Sequence, residues 1–172
     1  VGSEMCIRDS IEGYPSDDFT RRVIDISPEQ VTLVPDPPEA LTSSFGWNCE
    51  ENKNLLSDII NKFRDNDIRV SIFINPSSET LSNLDIIKPD RVELYTYDYA
   101  KNYYENKNSS IKPYLEVADY LKRKFPYILL NAGHDLNLDN LDYILENIST
   151  IKEVSIGHAL VSVSYTHLTL PT

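Results

Sequence analysis

Glycine is scarce in this 172-residue sequence, and so are histidine, cysteine and positive charge. Each shortage excludes something. No G-x-G-x-x-G or Walker-type run follows any predicted strand, so a nucleotide-binding open sheet loses its usual phosphate cradle. There are two cysteines, and Cys6 lies in a terminal stretch set aside below. Cys49 alone makes no intrachain disulfide and points to a cytoplasmic setting. The 27 acidic side chains outweigh 16 basic ones, for a formal charge of −11. An acidic chain without a basic stripe is a poor partner for nucleic acid or an anionic membrane, although backbone N–H groups can still bind phosphate locally. No apolar run is long enough to span a bilayer.

The two ends do not read as protein. The codons for MCIRDS at residues 5–10, taken as their reverse complement in another frame, encode VSYTH, which stands at residues 163–167. One short DNA element, resembling a transposase sequencing adapter, accounts for both. Residues 1–10 and 163–172 are therefore treated as translated scar, and residues 11–162 as an internal piece of a longer gene, with a charge of −10.

What remains holds four glycines, Gly13, Gly46, Gly133 and Gly157, and two histidines, His134 and His158. Three of the glycines fall where a strand ends, and both histidines follow a glycine. Residues 129–141, LLNAGHDLNLDNL, pass from an apolar run through Gly133-His134 into a helix capped by Asn137, with Leu138, Leu141, Leu145 and Ile148 at helical spacing. Glycine there admits a ligand to the backbone, a helix start offers N–H groups, and histidine moves protons near neutral pH. Residues 154–158, VSIGH, repeat the arrangement.

In chain order, residues 11–13 read as the end of a strand. A helix capped by Ser16 or Asp17 carries Phe19, Val23 and Ile26 on one side, and Pro28 stops it. Residues 30–35 form a strand, and 36–49 a long loop containing Thr42. Residues 52–66 form a helix with Leu55, Leu56, Ile59, Ile60 and Phe63 inward. Strand 69–74, a short helix 79–87 and strand 91–96 follow. Residues 97–110 are polar and tyrosine-rich. Then come helix 112–125, strand 127–132, helix 138–148 and strand 153–157. Short apolar strands alternating with helices leave two architectures, a doubly wound sheet or a (β/α)₈ barrel. Gly-His turns after the last two strands favour the barrel, whose sites lie at the C-terminal rim, with phosphate docked after the last strands.

These segments resemble the pyridoxine 5′-phosphate synthase family, which closes the pyridine ring in vitamin B6 synthesis. The resemblance runs from Ile11 to about Ser162 and rests on the Glu12 strand end, LVP at 33–35, the Thr42 loop, SIFI at 71–74, VEL at 92–94, NAGHDLN at 131–137 and IGHAL at 156–160. It implies an α/β fold, an incomplete (β/α)₈ TIM barrel from the end of the third strand through the eighth. It also implies a homo-octameric parent, no cofactor, and condensation of 1-deoxy-D-xylulose 5-phosphate with 3-amino-2-oxopropyl phosphate, releasing phosphate and water. A second catalytic histidine would belong to the part not present. The chain alone is expected to be inactive and to aggregate.

The resemblance also implies roles. His134 matches the proton donor, a task suited to imidazole. Glu12 matches the general base, and Glu93, a carboxylate inside an apolar strand, the group that stabilises the transition state. Thr42 matches a contact to the deoxyxylulose phosphate. Asp135, Gly157 and His158 match contacts to the amino-ketone phosphate. A metal site from His134, Asp135 and His158 is set aside, because no close ligand motif is present. Tyr95-Thr96-Tyr97 departs from the His-Thr-Gly of many relatives, and Tyr97 is expected to crowd the rim. The loop after the second strand also lacks the basic residues common there. Two other readings remain: another phosphate-binding barrel of isomerase or aldolase type, and a non-catalytic α/β binding module. An aldolase needs a strand-borne lysine, and none of the strands as read holds one. A binding module would leave Glu93 and His134 on unrelated surfaces.

Overall fold

The computed structural model describes residues 10–37, 44–157 and 159. Thr42 and His158 therefore lie outside the described residues. The order is β1 (Ser10–Gly13), α1 (Asp17–Ile26), β2 (Gln30–Leu33), α2 (Lys53–Arg64), β3 (Arg69–Ile74), a 3₁₀ turn (Ser78–Leu81), α3 (Leu84–Ile87), β4 (Arg91–Tyr95), α4 (Tyr97–Ser110), α5 (Lys112–Lys124), β5 (Leu129–Gly133), α6 (Leu141–Asn147) and β6 (Ile151–Ser155). All six strands are parallel and pair in sequence order, β1 through β6.

Local chemistry explains the helices. Ser16 caps α1 by accepting from the Phe19 N–H at 3.2 Å, with Asp17 and Asp18 in the first turn, where negative charge suits the helix dipole. Ser27 ends α1 in the left-handed region. Pro113 opens α5, and Lys122, Arg123 and Lys124 close it. Leu56, Ile59, Ile60 and Phe63 of α2 are buried at the spacing predicted.

Alternation along the strands divides the molecule into two layers. Val31, Leu33, Val70, Ile72, Ile74, Val92, Leu94, Leu130 and Ala132 point outward and join the buried faces of the helices in one core. The residues between them point the other way and are mostly polar: Gln30, Thr32, Ser71, Arg91, Glu93 and Asn131 are all buried. Val34, Phe73 and Tyr95 form a small apolar cluster at the C-terminal end of that inner face. The central strands β2 to β4 are thus buried on both faces, with the helix-facing side apolar and the inner side mostly polar.

Side chains on the inner face show that the sheet curls. Thr32 on β2 donates to Oε2 of Glu93 on β4 at 3.4 Å, passing over β3. Arg69 on β3 reaches Glu153 on β6 at 3.4 Å, and Arg91 on β4 reaches the same carboxylate at 3.0 Å. In a flat sheet β3 and β6 would stand roughly 14 Å apart, so the strands must bend around these contacts. Six parallel strands curled with their helices outside form an incomplete (β/α)₈ barrel, as the strand–helix alternation predicts.

Several local expectations need correction. Residues 97–110 are the helix α4, kinked at Asn106, where φ is −158° and ψ 89°. The segment 79–87 splits into a 3₁₀ turn and α3, because Asn83 between them has φ 62°. Leu55, Ile26 and Leu138 face solvent, and Leu138 is 85% exposed because α6 begins only at Leu141. Strand β6 starts at Ile151, so it does contain a lysine, Lys152, which lines an outer groove with Ala118, Leu121 and Leu130 rather than the barrel interior. Among the described residues, no helix is long and apolar enough to cross a membrane.

Candidate active site

Among the described candidates, His134, Asp135 and Gly157 follow the C-terminal ends of β5 and β6, whereas Glu12 and Glu93 lie within β1 and β4. Glu93 lies in the middle of β4, 1% exposed, among polar inner-face neighbours. Burial pushes its pKa from 4.5 up to about 7. The Ser155 and Thr32 hydroxyls favour the charged form, whereas the charges of Glu12 and Glu153 oppose it. Glu12 therefore belongs to the same electrostatic field, although it sits exposed on the first strand, paired in register with Thr32.

Gly133, the last residue of β5, has an ordinary negative φ. Its missing side chain matters for another reason. A Cβ there would run into Oε1 of Glu93 and press on Cβ of Ser155 at 3.0 Å. The glycine expected to admit a ligand admits the Glu93 carboxylate instead. Gly133→Ala is expected to cost about 1–3 kcal/mol through overpacking, read as a lower urea midpoint. An unchanged midpoint would show that the carboxylate has room to move away.

His134 follows directly. Its side chain is 13% exposed, with Nδ1 3.4 Å from Oδ2 of Asp135. The ring stands edge-on to Tyr95 at 4.7 Å and to Tyr97 at 6.0 Å between centroids. Tyr97 does crowd the rim: it stacks on Tyr95 at 6.0 Å and an interplanar angle of 9°, and closes the imidazole in from the α4 side.

The turn after His134 differs from the expected helix start. The Asn137 side chain accepts from the N–H groups of Asp139 at 2.9 Å and Asn140 at 3.2 Å, and Asn140 Oδ1 accepts from the Asn137 N–H at 2.9 Å. Those donors are occupied, and α6 begins four residues after Asn137. Asparagine side chains favour this local turn over helix. Gly157, two residues past β6, is exposed, and among the described residues nothing lies within 4 Å of where its Cβ would be.

Glu93, Glu12, His134 and Asp135 thus share one interior and rim, and Gly157 lies just past the last strand on that rim. Sequence reasoning gave no site role to Thr32, Ser155, Tyr95, Thr96 or Asn140, although it marked Tyr95-Thr96-Tyr97 as a departure at the rim. The alternation Arg91-Val92-Glu93-Leu94-Tyr95 carried a signal for the first three, because it marks an inner row whose neighbours must be polar or aromatic. Among the described residues no group of three or more potential ligands could hold a metal ion.

Comparison with known proteins agrees with this geometry. The chain is 44% identical over 155 residues to a pyridoxine 5′-phosphate synthase of Parabacteroides distasonis, covering 88% of this chain and 63% of that protein. It is 44% identical over 153 residues to the synthase of Bacteroides fragilis, covering 89% and 64%, and 44% identical over 152 residues to that of Cytophaga hutchinsonii, covering 88% and 63%. The chain thus spans under two thirds of the length of these relatives. The family model described as Pyridoxal phosphate biosynthesis protein PdxJ matches residues 3–167, reaching into both stretches read as scar. A curled parallel sheet with a buried carboxylate beneath a Gly-His turn, matched over that length, places the chain in the Pyridoxal phosphate biosynthesis protein PdxJ family.

Proposed function

We propose that the full-length protein carrying this chain is a cytoplasmic, homo-octameric enzyme that condenses 1-deoxy-D-xylulose 5-phosphate with 3-amino-2-oxopropyl phosphate to pyridoxine 5′-phosphate, phosphate and water. Residues 11–162 form the barrel portion, between adapter-derived ends. The observation that carries the reading is Glu93, a carboxylate at the heart of a polar interior, packed over Gly133 next to His134. A group whose pKa lies near neutrality can stabilise positive charge as a carboxylate or hold a proton as an acid. In this scheme His134 delivers protons to departing oxygens, Glu12 removes them as the ring aromatises, and Glu93 stabilises the charge between those events. Thr42 contacts the deoxyxylulose phosphate. Asp135, Gly157 and His158 contact the amino-ketone phosphate, with Gly157 offering backbone N–H.

An aldolase-type reaction is the weaker reading, because Lys152 faces the helix layer, away from Glu93. A binding module is also weaker, since Glu93 and the residue before His134 are in contact. The test is to express the full-length protein and follow pyridoxine 5′-phosphate formation from the two substrates. Steady turnover supports the reading. A folded barrel that forms no product would move the assignment to another phosphate-binding enzyme, with the Tyr95–Tyr97 stack as first suspect.

A further inference from the structure

His134 and Asp135 both have left-handed backbone, with φ of 86° and 56°. Isolated histidines and aspartates tolerate this region better than most residues, but two in succession need outside support. The support is visible. Thr96, fully buried just after β4, donates its N–H to the Gly133 carbonyl at 2.9 Å. Its hydroxyl proton is shared between the same carbonyl, at 2.8 Å, and that of His134. Asn140, also fully buried, donates Nδ2 to the Asp135 carbonyl at 3.2 Å. Every carbonyl from Gly133 to Asp135 is therefore held by a buried side chain.

Asn140 and the residue before Thr96 are in turn braced from the helix layer. The Tyr99 hydroxyl of α4 donates to the Asn140 carbonyl at 2.6 Å, and the Tyr114 hydroxyl of α5 donates to the Tyr95 carbonyl at 3.0 Å. Tyr95 and Tyr97, on either side of Thr96, contact the His134 ring. One tripeptide thus fixes both the backbone and the ring of the same histidine.

We infer that Thr96 and Asn140 are positioning residues that hold the left-handed turn at His134 and so aim its imidazole into the barrel mouth. The inference rests on the proton-donor reading of His134 for its catalytic consequence, but its geometric content stands apart. Thr96→Val keeps shape and removes the hydroxyl. In the full-length enzyme it is expected to lower kcat by about 10- to 100-fold with a smaller change in KM, the scale of a misplaced catalytic group. Thr96→Ser, which restores the hydroxyl, should recover most of that loss. NMR of the His134 ring, assigned by its absence in His134→Asn, should show displaced or doubled signals in Thr96→Val and wild-type positions in Thr96→Ser. Should Thr96→Val not fold, Asn140→Asp, which keeps the acceptor and removes the donor, carries the same readout. His134 signals unmoved in a folded Thr96→Val or Asn140→Asp protein would overturn the inference. If the signals move while His134→Asn keeps full activity, the proton-donor reading falls and the positioning role stands.

Discussion

On the proposed synthase reading, His134→Asn in the full-length protein is expected to lower kcat by about 10²- to 10⁴-fold, the usual contribution of a positioned acid or base, with little effect on substrate affinity. Asparagine is the informative replacement for a structural reason. Position 134 has φ 86°, a conformation that asparagine adopts more readily than most residues. The turn is therefore spared, and what disappears is the ring that Tyr95 and Tyr97 hold and the proton it carries. Alanine would confuse loss of chemistry with relaxation of the backbone. The measurement is steady-state kinetics alongside thermal unfolding. A folded variant within threefold of wild type would remove His134 from the mechanism.

The second large effect concerns Glu93 and pH. The unfolded chain gives up this proton near 4.5, whereas the folded protein keeps it to about 7. Between those values the folded state binds more protons than the unfolded state, so its stability falls as pH rises. The contribution is fully present below about 4.5, declines across the window and is gone above about 7. A shift of that size corresponds to about 3 kcal/mol. Urea midpoints from pH 4.5 to 8 should show the decline in the wild-type protein. Glu93→Gln, which cannot ionise, should flatten it and gain most on wild type at the alkaline end. Parallel curves for the two proteins would mean that Glu93 ionises much as it does in water.

Much of this was legible before any coordinates. The apolar spacing of α2 and α5 and the short strands β2, β3 and β4 lie within a residue or two of where the sequence puts them. Glycines near the ends of β1, β5 and β6 were found from their rarity alone. Helix α4 escaped because its buried face is written in tyrosine. Tyr99 is fully buried, yet its hydroxyl is spent on the Asn140 carbonyl, and hydropathy does not register such a residue as core. The kink at Asn106 breaks what periodicity was left. The start of α6 was misplaced for a comparable reason. Asn137 and Asn140 cap each other's backbone in a turn that resembles a helix start in sequence and delays it by one turn in space. At the site, single residues with unusual chemistry stood out, such as Glu93 and His134. Their supports were less legible: Thr32 is an ordinary strand residue until the curl brings Glu93 to it, and Thr96, just past β4, is recognised only once the turn after Gly133 is placed against it.

The shared grip of Arg69 and Arg91 on Glu153 works like a tie rod across a vault. It spans the arc on its concave side, as the Thr32–Glu93 contact does between nearer strands. Both margins of the sheet, Ser10–Gly13 and Ile151–Ser155, thus belong to staves already bent to the cask.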